Sequence, residues 1–178
     1  MPIVTPVLVL PGHGNSGPQH WQSLWERRHP DWQRVELGEW DQPACDDWVR
    51  ALDVAVAACP SPPLLVAHSL ACLLVAHWAR RSALALKGAF LVAVPDPQSE
   101  CFPASASGFS PVPMVPFAFR SLVVASTNDP FGSVIHAEHC AKSWGSRFID
   151  IGQAGHINAD SGHGEWKDGY ALLQQFIV

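Results

Sequence analysis

Residues 64–78 read LLVAHSLACLLVAHW, and the rest of the chain can be interpreted outward from this stretch. Its first four residues form an apolar run typical of a buried strand, and an alanine-rich segment of helical length follows. Between them, Ser69 lies at an abrupt turn with the small residues Ala67 and Ala71 on either side. A serine at a tight strand-to-helix turn exposes its hydroxyl at the edge of a sheet, where it can act as a nucleophile. Glycine is usual at both small positions, so this motif alone does not separate a nucleophile from a simple helix cap.

Length and composition limit the class of protein. The chain has 178 residues, the size of one domain, and we expect a single domain over residues 1–178. Hydrophobic residues make up 48% and charged residues 15%, which favours a buried sheet covered on both faces. The net charge of −5, without a run of lysine or arginine, argues against a nucleic-acid partner. No apolar stretch is long and clean enough to span a bilayer, so we expect no membrane association through such a segment.

The N-terminus and the cysteines bear on the compartment. Residues 1–14 are apolar but lack a basic leading segment, and we interpret them as mature protein that includes the first strand. The five cysteines are an odd number and contain no CxxC pair. This usage favours free thiols in a reducing compartment, and cytoplasm is the expected location.

Strand-like and helix-like segments alternate along the chain. Strands are predicted over residues 3–10, 34–37, 64–67, 87–94, 120–126 and 147–151. Helices are predicted over residues 19–29, 46–59, 131–144 and 166–176, and after Ser69. The central strands are continuous apolar runs, which indicates a parallel sheet with helices on both faces. Residues 98–119 are rich in proline, serine and glycine and predict a long loop, a feature that is often functional.

Reactive side chains follow several of the predicted strands. The carboxyl ends of parallel strands meet at one edge of a sheet, where such folds carry their sites. Ser69, Asp129 and His156 follow the third, fifth and sixth strands, and this chain order is typical of one class of α/β enzyme. His156 can remove the serine proton and later protonate a leaving group, and Asp129 can orient the imidazole. Asp96, after the fourth strand, is the alternative acid, but the strand before Asp129 lies nearer the last one.

The remaining parts of such a site are two backbone N–H groups and a substrate pocket. A tetrahedral intermediate needs preorganised donors for its oxyanion. We predict Leu70 as one donor and His13 as the other, with Gly14 as second choice, because the glycine-rich turn follows the first strand. Four aromatic residues expected to flank the same edge are candidates for the substrate pocket: Trp40, Phe102, Phe119 and Phe131.

Simpler interpretations compete with these assignments. Ser69 and Asp129 could be helix caps, and His68 could serve only to shape the turn. His136 and His139 have helical spacing and His163 lies near His156, but a zinc site would need a third ligand at better spacing. We therefore expect no metal and no cofactor.

A dinucleotide-binding fingerprint is the more serious alternative. The pattern Gly12-x-Gly14-x-x-Gly17 follows a strand and precedes a helix, and Glu36 or Glu39 could hold a ribose. No Gly-Lys-Ser/Thr follows, so a phosphate-binding P-loop is not indicated. The dinucleotide interpretation leaves the ordered serine, aspartate and histidine unexplained. It therefore ranks behind the interpretation of Ser69 as a nucleophile.

Several motifs together carry a family resemblance. They are PGHGNS at 11–16, HWQ at 20–22, HSL at 68–70, STNDP at 126–130 and GHINADSG at 155–162, followed by Trp166. Over nearly its whole length the chain resembles the small α/β-hydrolases of the retinoblastoma-binding-protein-9-like (YdeN-like) serine hydrolase group. The resemblance implies a minimal three-layer α/β-hydrolase fold of about six parallel strands with helices on both faces and no cap domain. It also implies a triad at Ser69, Asp129 and His156, with alanine at both elbow glycines as the departure.

The functional expectation follows from the ordered residues and the resemblance together. We expect a serine hydrolase that cleaves a small carboxylic ester or an amide through an acyl-enzyme at Ser69. The alternative is a catalytically weak or inactive α/β-hydrolase-fold protein that acts as a protein-binding module. The altered elbow and the lack of a cap motivate that alternative.

Overall fold

The computed structural model describes residues 5–178, so Ile3 and Val4 of the first predicted strand lie outside the described residues. The strands are β1 (Val7–Leu10), β2 (Gln33–Arg34), β3 (Leu64–His68), β4 (Gly88–Val92), β5 (Ser121–Ala125) and β6 (Arg147–Asp150). The helices are α1 (Trp21–Arg28), α2 (Cys45–Ala57), α3 (Leu70–Arg81), α4 (Val134–Trp144) and α5 (Lys167–Ile177), with a short 3₁₀ helix at Ala159–Ser161.

The sheet is parallel throughout and has the strand order β2-β1-β3-β4-β5-β6. The register pairs Leu10 of β1 with Ala67 of β3, and His68 of β3 with Val92 of β4. The loops after β1, β3 and β4 therefore begin beside one another. Strand β5 pairs directly with β6, which brings the loops that carry the predicted acid and histidine together.

Alternate residues of the central strands enter two separate cores, one on each face of the sheet. In β3, Leu65 and Ala67 pack with residues of α2, α3 and α4. Leu64 and Val66 pack with the aromatic residues of α1 and α5. These three layers are those of an α/β-hydrolase fold, as predicted, and within residues 5–178 no further domain interrupts the order of the elements.

The observed elements differ from the predicted ones mainly at their ends. Strand β2 is shorter than predicted, although the next apolar residues, Val35 and Leu37, remain buried. Helix α4 begins at Val134 rather than at Phe131, because Ser133 accepts the His136 amide and caps the helix there. Residues 98–119 form the expected loop without a helix or a strand, and Phe109 anchors it in the core.

Two further observations concern the cysteines and the helices. All five cysteines are free thiols. No helix within residues 5–178 has the length and apolar character needed to cross a membrane.

Candidate active site

Ser69 occupies a strained backbone position between β3 and α3. Its φ of 55° and ψ of −124° lie in a region that residues with a side chain rarely adopt. The amide of Ser69 donates to the carbonyl of Val92 at 2.9 Å, which ties the turn to the neighbouring strand. Its hydroxyl makes no helix-capping bond, so the simple cap interpretation does not describe this serine. Strain of this kind persists only where the surrounding structure enforces it, and it is common at functional sites.

The structure brings Ser69, His156 and Asp129 into one hydrogen-bonded chain. His156 Nε2 lies 2.8 Å from Ser69 Oγ, and His156 Nδ1 lies 2.9 Å from both carboxylate oxygens of Asp129. The imidazole and carboxylate side chains are only 9% and 3% exposed. With Nδ1–H donating to the carboxylate, Nε2 carries a lone pair aimed at the serine hydroxyl. The arrangement can therefore remove a proton from Ser69 as it attacks a carbonyl carbon.

The alternative acid is not part of this chain of contacts. Asp96 Oδ1 accepts the Gln98 amide at 2.8 Å, and Asp96 Oδ2 lies 3.7 Å from His136 Nδ1. Asp129 accepts the Phe131 amide at 2.9 Å, so it stabilises its own turn while it contacts the imidazole. Strand β5 adjoins β6 whereas β4 does not, and this order decides which carboxylate meets the histidine.

The glycine turn after β1 packs directly against the elbow. A side-chain carbon added to Gly12 would lie 2.9 Å from the His68 carbonyl oxygen and 3.1 Å from Ser69 Cβ. Glycine is required there because two backbone segments meet at that distance. Ala67 and Ala71 are fully buried on the other sides of the elbow, so alanine fits at both positions.

Two backbone amides near Ser69 can serve as oxyanion donors. The Leu70 amide is in the first turn of α3, where N–H groups have no partner within the helix. The Gly14 amide donates to the Trp40 carbonyl at 2.9 Å and is engaged. The His13 amide makes no hydrogen bond within residues 5–178. The His13 ring is fixed by Ser105 Oγ at 2.9 Å, which links the turn to the loop at residues 98–119. These contacts favour His13 over Gly14.

A cavity of about 250 Å³ opens over Ser69 and His156. Apolar side chains form part of its wall: Leu70, Pro95, Phe102, Pro103, Phe131 and Ala159. Polar side chains form another part: His13, Asn15, His20, His68, Asn158 and Asp160. The Phe131 ring lies 4.3 Å from the His156 ring, so this aromatic side chain borders the contact between His156 and Ser69 directly.

Trp40 and Phe119 do not line this cavity. The Trp40 ring packs against Trp48 at 5.7 Å, and the Phe119 ring stacks on Phe117 at 4.9 Å. Phe119 precedes β5 and therefore lies at the amino edge of the sheet, opposite the site. These placements correct the prediction of both residues as pocket candidates.

Sequence reasoning missed several lining residues that each lie within a few positions of a motif that it used. These residues are Asn15, His20, Pro95, Pro103, Asn158 and Asp160. Their proximity in sequence to the strand ends was the available signal. Which of them faces the cavity depends on the turns, and the sequence pattern does not reveal that.

Two buried histidines next to this site remain uncharged at neutral pH: the His68 ring lies 4.9 Å from the His156 ring, and the His20 ring packs on His68. Burial, the positive charge of Arg34 and then His156 lower the pKa of His20 to about 3. Burial is also the main reason that the pKa of His68 lies well below its ordinary value. Neutral His68 donates from Nε2 to the backbone carbonyl of His156 at 2.9 Å.

The competing interpretations of the sequence gain no support from the structure. His136 Nε2 bonds to the Pro95 carbonyl and His163 Nε2 to the Ala154 carbonyl. Within residues 5–178 no three histidine, cysteine or acidic side chains converge on a possible metal position. For a dinucleotide, the receiving helix begins at Trp21 with His20 as its cap, not at Gly17.

The parallel sheet and the strained serine at its elbow define an α/β-hydrolase, and comparison with known proteins gives the family. The model of the serine hydrolase family matches residues 7–175, so the chain belongs to that family. It is a YdeN-like small serine hydrolase, as the sequence resemblance indicated.

Three solved structures illustrate the similarity. A putative YdeN-like hydrolase from Pectobacterium atrosepticum SCRI1043 is 35% identical with a TM-score of 0.85, covering 97% of this chain and 90% of that one. The ydeN gene product of B. subtilis is 20% identical with a TM-score of 0.82, covering 97% and 98%. A thermophilic esterase from Thermogutta terrifontis is 15% identical with a TM-score of 0.71, covering 98% and 91%, and shares the fold. No curated protein matches the chain.

Proposed function

We propose that this serine hydrolase cleaves a small carboxylic ester or an amide through an acyl-enzyme on Ser69. The observation that carries the proposal is the chain of contacts from Ser69 Oγ through the His156 ring to Asp129, at the floor of a cavity. A serine hydroxyl is a weak nucleophile until a base takes its proton, and this chain supplies the base.

In the first half of the reaction, Ser69 Oγ attacks the substrate carbonyl carbon while His156 Nε2 accepts the hydroxyl proton. Asp129 stabilises the imidazolium that forms and keeps the ring in its tautomer. The negative charge that develops on the carbonyl oxygen is stabilised by the amides of Leu70 and His13. His156 then returns the proton to the leaving alcohol or amine as the carbon–oxygen or carbon–nitrogen bond breaks.

In the second half, water hydrolyses the acyl-enzyme. His156 Nε2 takes a proton from the attacking water, and the oxyanion again lies between the Leu70 and His13 amides. Collapse of the tetrahedral intermediate breaks the bond to Ser69 Oγ, which recovers its proton from the imidazolium. The carboxylic acid leaves, and the enzyme is returned to its starting state.

The cavity limits the size of the substrate. A volume of about 250 Å³ is slightly below the range usual for drug-sized ligands, so a short acyl group fits better than a long chain. Phe102 and Phe131 give the cavity an apolar wall for the acyl group. Asn158 and Asp160 give it a polar wall, which suits a leaving group with hydroxyl or amino substituents.

The test is covalent labelling with a fluorophosphonate probe, with a panel of acyl esters of increasing chain length. We expect labelling of wild type and of Ser143→Ala, a surface control in α4 that lies outside the cavity lining. We expect none in Ser69→Ala, and turnover that falls as the acyl chain lengthens. Equal labelling of wild type and Ser69→Ala would show that another side chain reacts, and no labelling at all would favour the binding-module alternative. Either result would contradict the proposal.

A further inference from the structure

Three consecutive side chains at the start of α1, His20, Trp21 and Gln22, contact different parts of the site although the proposed reaction does not use them. All three are buried: their exposed fractions are 5%, 1% and 1%. A helix packed on a sheet needs apolar contacts from such positions, but these residues also make hydrogen bonds. The partners of those bonds are what suggest a function.

Trp21 holds the backbone immediately after the proposed base. Its indole Nε1 donates to the Ile157 carbonyl at 2.7 Å. Gly155 and Ile157, on either side of His156, have φ values of 60° and 49°, both in the left-handed region. Ile157 is β-branched, and such a residue is strained there unless its surroundings enforce the conformation. The Trp21 bond is one of those constraints.

His20 supports His156 through a second ring. The His20 and His68 rings meet edge to face with centroids 4.6 Å apart. His68 Nε2 donates to the His156 carbonyl, while His20 Nδ1 accepts the Gln22 amide at 3.1 Å. The His68 ring is thus held between the start of α1 and the backbone of the base.

Gln22 joins the two strands that carry the elbow and the oxyanion turn. Its side-chain amide donates to the Leu10 carbonyl of β1 at 3.0 Å and to the Val66 carbonyl of β3 at 3.1 Å. Its carbonyl oxygen accepts the Ser16 hydroxyl at 2.6 Å. Leu10 leads into the glycine turn and Val66 into Ser69, so this amide links the backbone of both.

We propose that the His20–Trp21–Gln22 segment is a positioning element that holds the backbone of the histidine, the elbow and the oxyanion turn in one fixed arrangement. The inference rests on the proposed function, because it concerns the same site. Of the three, Trp21 acts most directly on the base, since its bond is to the residue next to His156. Misplacement of a reacting group by about 1 Å can lower a rate about 100-fold without changing which groups are present.

Trp21→Phe tests the proposal, with Trp25→Phe as a matched control. Trp25 lies on the same helix, is equally buried and donates its indole N–H at the same 2.7 Å, but to the Glu165 carbonyl. Either change keeps an aromatic ring and removes one buried hydrogen-bond donor. The melting temperature should therefore fall by a similar amount in both variants. We expect kcat and the fluorophosphonate labelling rate to fall about 10- to 100-fold in Trp21→Phe, with KM little changed, and about twofold or less in Trp25→Phe.

A second pair of variants tests the same proposal in case Trp21→Phe does not fold. His68→Gln keeps a side-chain N–H donor in place of the one that bonds to the His156 carbonyl, whereas His68→Leu removes it. We expect His68→Gln to retain most of the kcat that His68→Leu loses when their melting temperatures are alike.

The outcomes separate this inference from the proposed function. A wild type that does not react with the probe overturns the proposed function. A wild type that reacts, with equal rates in Trp21→Phe and Trp25→Phe, overturns the positioning element alone. Where Trp21→Phe does not fold, equal rates in the two His68 variants overturn it.

Discussion

The elbow, residues 67–71, and the histidine loop, residues 154–158, hold the proposed nucleophile and the proposed base by different means. The elbow lies between a regular strand and a regular helix, and a backbone bond from Ser69 to Val92 fixes it. Ala67 and Ala71, at its two ends, are fully buried and contribute only packing. The position of the proposed nucleophile is therefore set mainly by backbone contacts, to Val92 of β4 and to the turn at Gly12.

The histidine loop contains neither strand nor α-helix, and side chains from elsewhere hold it. The supporting bonds are Ser126 Oγ to the Ala154 amide (2.9 Å), Asn128 Oδ1 to the Gly155 amide (2.8 Å), His68 to the His156 carbonyl (2.9 Å) and Trp21 to the Ile157 carbonyl (2.7 Å). The position of the base thus depends on residues from three other segments of the chain. The comparison teaches that side chains distant in sequence hold the proposed base in an irregular loop. The elbow is held instead by its strand, its helix and contacts with the backbone of neighbouring strands, which the Gln22 amide supports.

The largest expected effect follows from removing the charge that orients the base. Asp129→Asn should lower kcat by about 10⁴, because the amide no longer holds the imidazole in the tautomer that accepts the serine proton. Asp96→Asn is the matched control, since Asp96 follows the adjacent strand but contacts His136 instead. Steady-state kinetics with a short acyl ester measure both. Equal losses in the two variants would show that the acid has been assigned wrongly.

Gly12→Ala tests the contact between the elbow and the oxyanion turn. The added carbon would lie 2.9 Å from the His68 carbonyl and 3.2 Å from the Leu70 amide, so the turn must move away. Loss of one oxyanion donor lowers kcat about 10²- to 10³-fold in hydrolases, and we expect a loss near the lower value. Gly17→Ala meets no atom within 4 Å and should cost far less kcat. A similar kcat in both variants would show that the glycine turn does not contribute to catalysis.

Asn128→Ala tests the dependence of the histidine loop on distant support. It removes the acceptor of the Gly155 amide, and we expect kcat to fall about tenfold with KM nearly unchanged. Asp150→Ala removes a similar acceptor, that of the Gly152 amide at 2.8 Å, from the same connection but farther from the base. It should lower stability without a matching loss of kcat. Equal losses of kcat in the two variants would contradict the dependence of His156 on the support from Asn128.

Acid should destabilise the protein through the buried histidines that support the base. The pKa of His20 is about 3 in the folded state and about 6.5 in the unfolded chain, so below pH 6.5 only the unfolded chain binds this proton. The contribution of neutral His20 to the free energy of unfolding is complete above pH 6.5. It is lost as the pH falls toward 3, by up to about 1.4 kcal/mol per pH unit. The pKa of His68 is lowered as well and adds in the same direction.

Urea unfolding between pH 4 and 7 measures that slope. His20→Asn keeps a capping acceptor at the start of α1 and removes the titrating ring, so its free energy of unfolding should depend less steeply on pH. A slope unchanged from wild type would mean that other groups cause the acid sensitivity.

The smallest effect is expected from restoring glycine at the elbow. Ala71→Gly should lower the free energy of unfolding by up to about 1 kcal/mol, because glycine costs more backbone entropy in a helix, and should leave kcat within about twofold. Ala76→Gly, equally buried in α3 but beyond the elbow, should cost a similar stability. Thermal unfolding and kinetics measure both. A large gain of kcat in Ala71→Gly alone would mean that alanine limits the elbow.

Most of the fold could be predicted because its signals are local. The apolar runs at β3, β4 and β5 and the helical periods between them define the elements, and alternation of strand and helix fixes a parallel sheet. The errors were at element ends, such as α4, where a capping serine rather than apolar spacing sets the start. The sequence predicted where the loops lie but not their conformation, because that conformation depends on partners elsewhere in the chain.

The sequence by itself determined the order in which a serine, an acid and a histidine follow the strands, and so predicted Ser69 and His156, with Asp129 preferred to Asp96. It could do so because parallel strands always bring their carboxyl ends to one edge. The tertiary structure decided what the pattern left open. It selected Asp129 over Asp96 through the pairing of β5 with β6, and it removed Trp40 and Phe119 from the pocket. These outcomes depend on contacts between residues far apart in sequence, and such contacts exist only once the chain has folded.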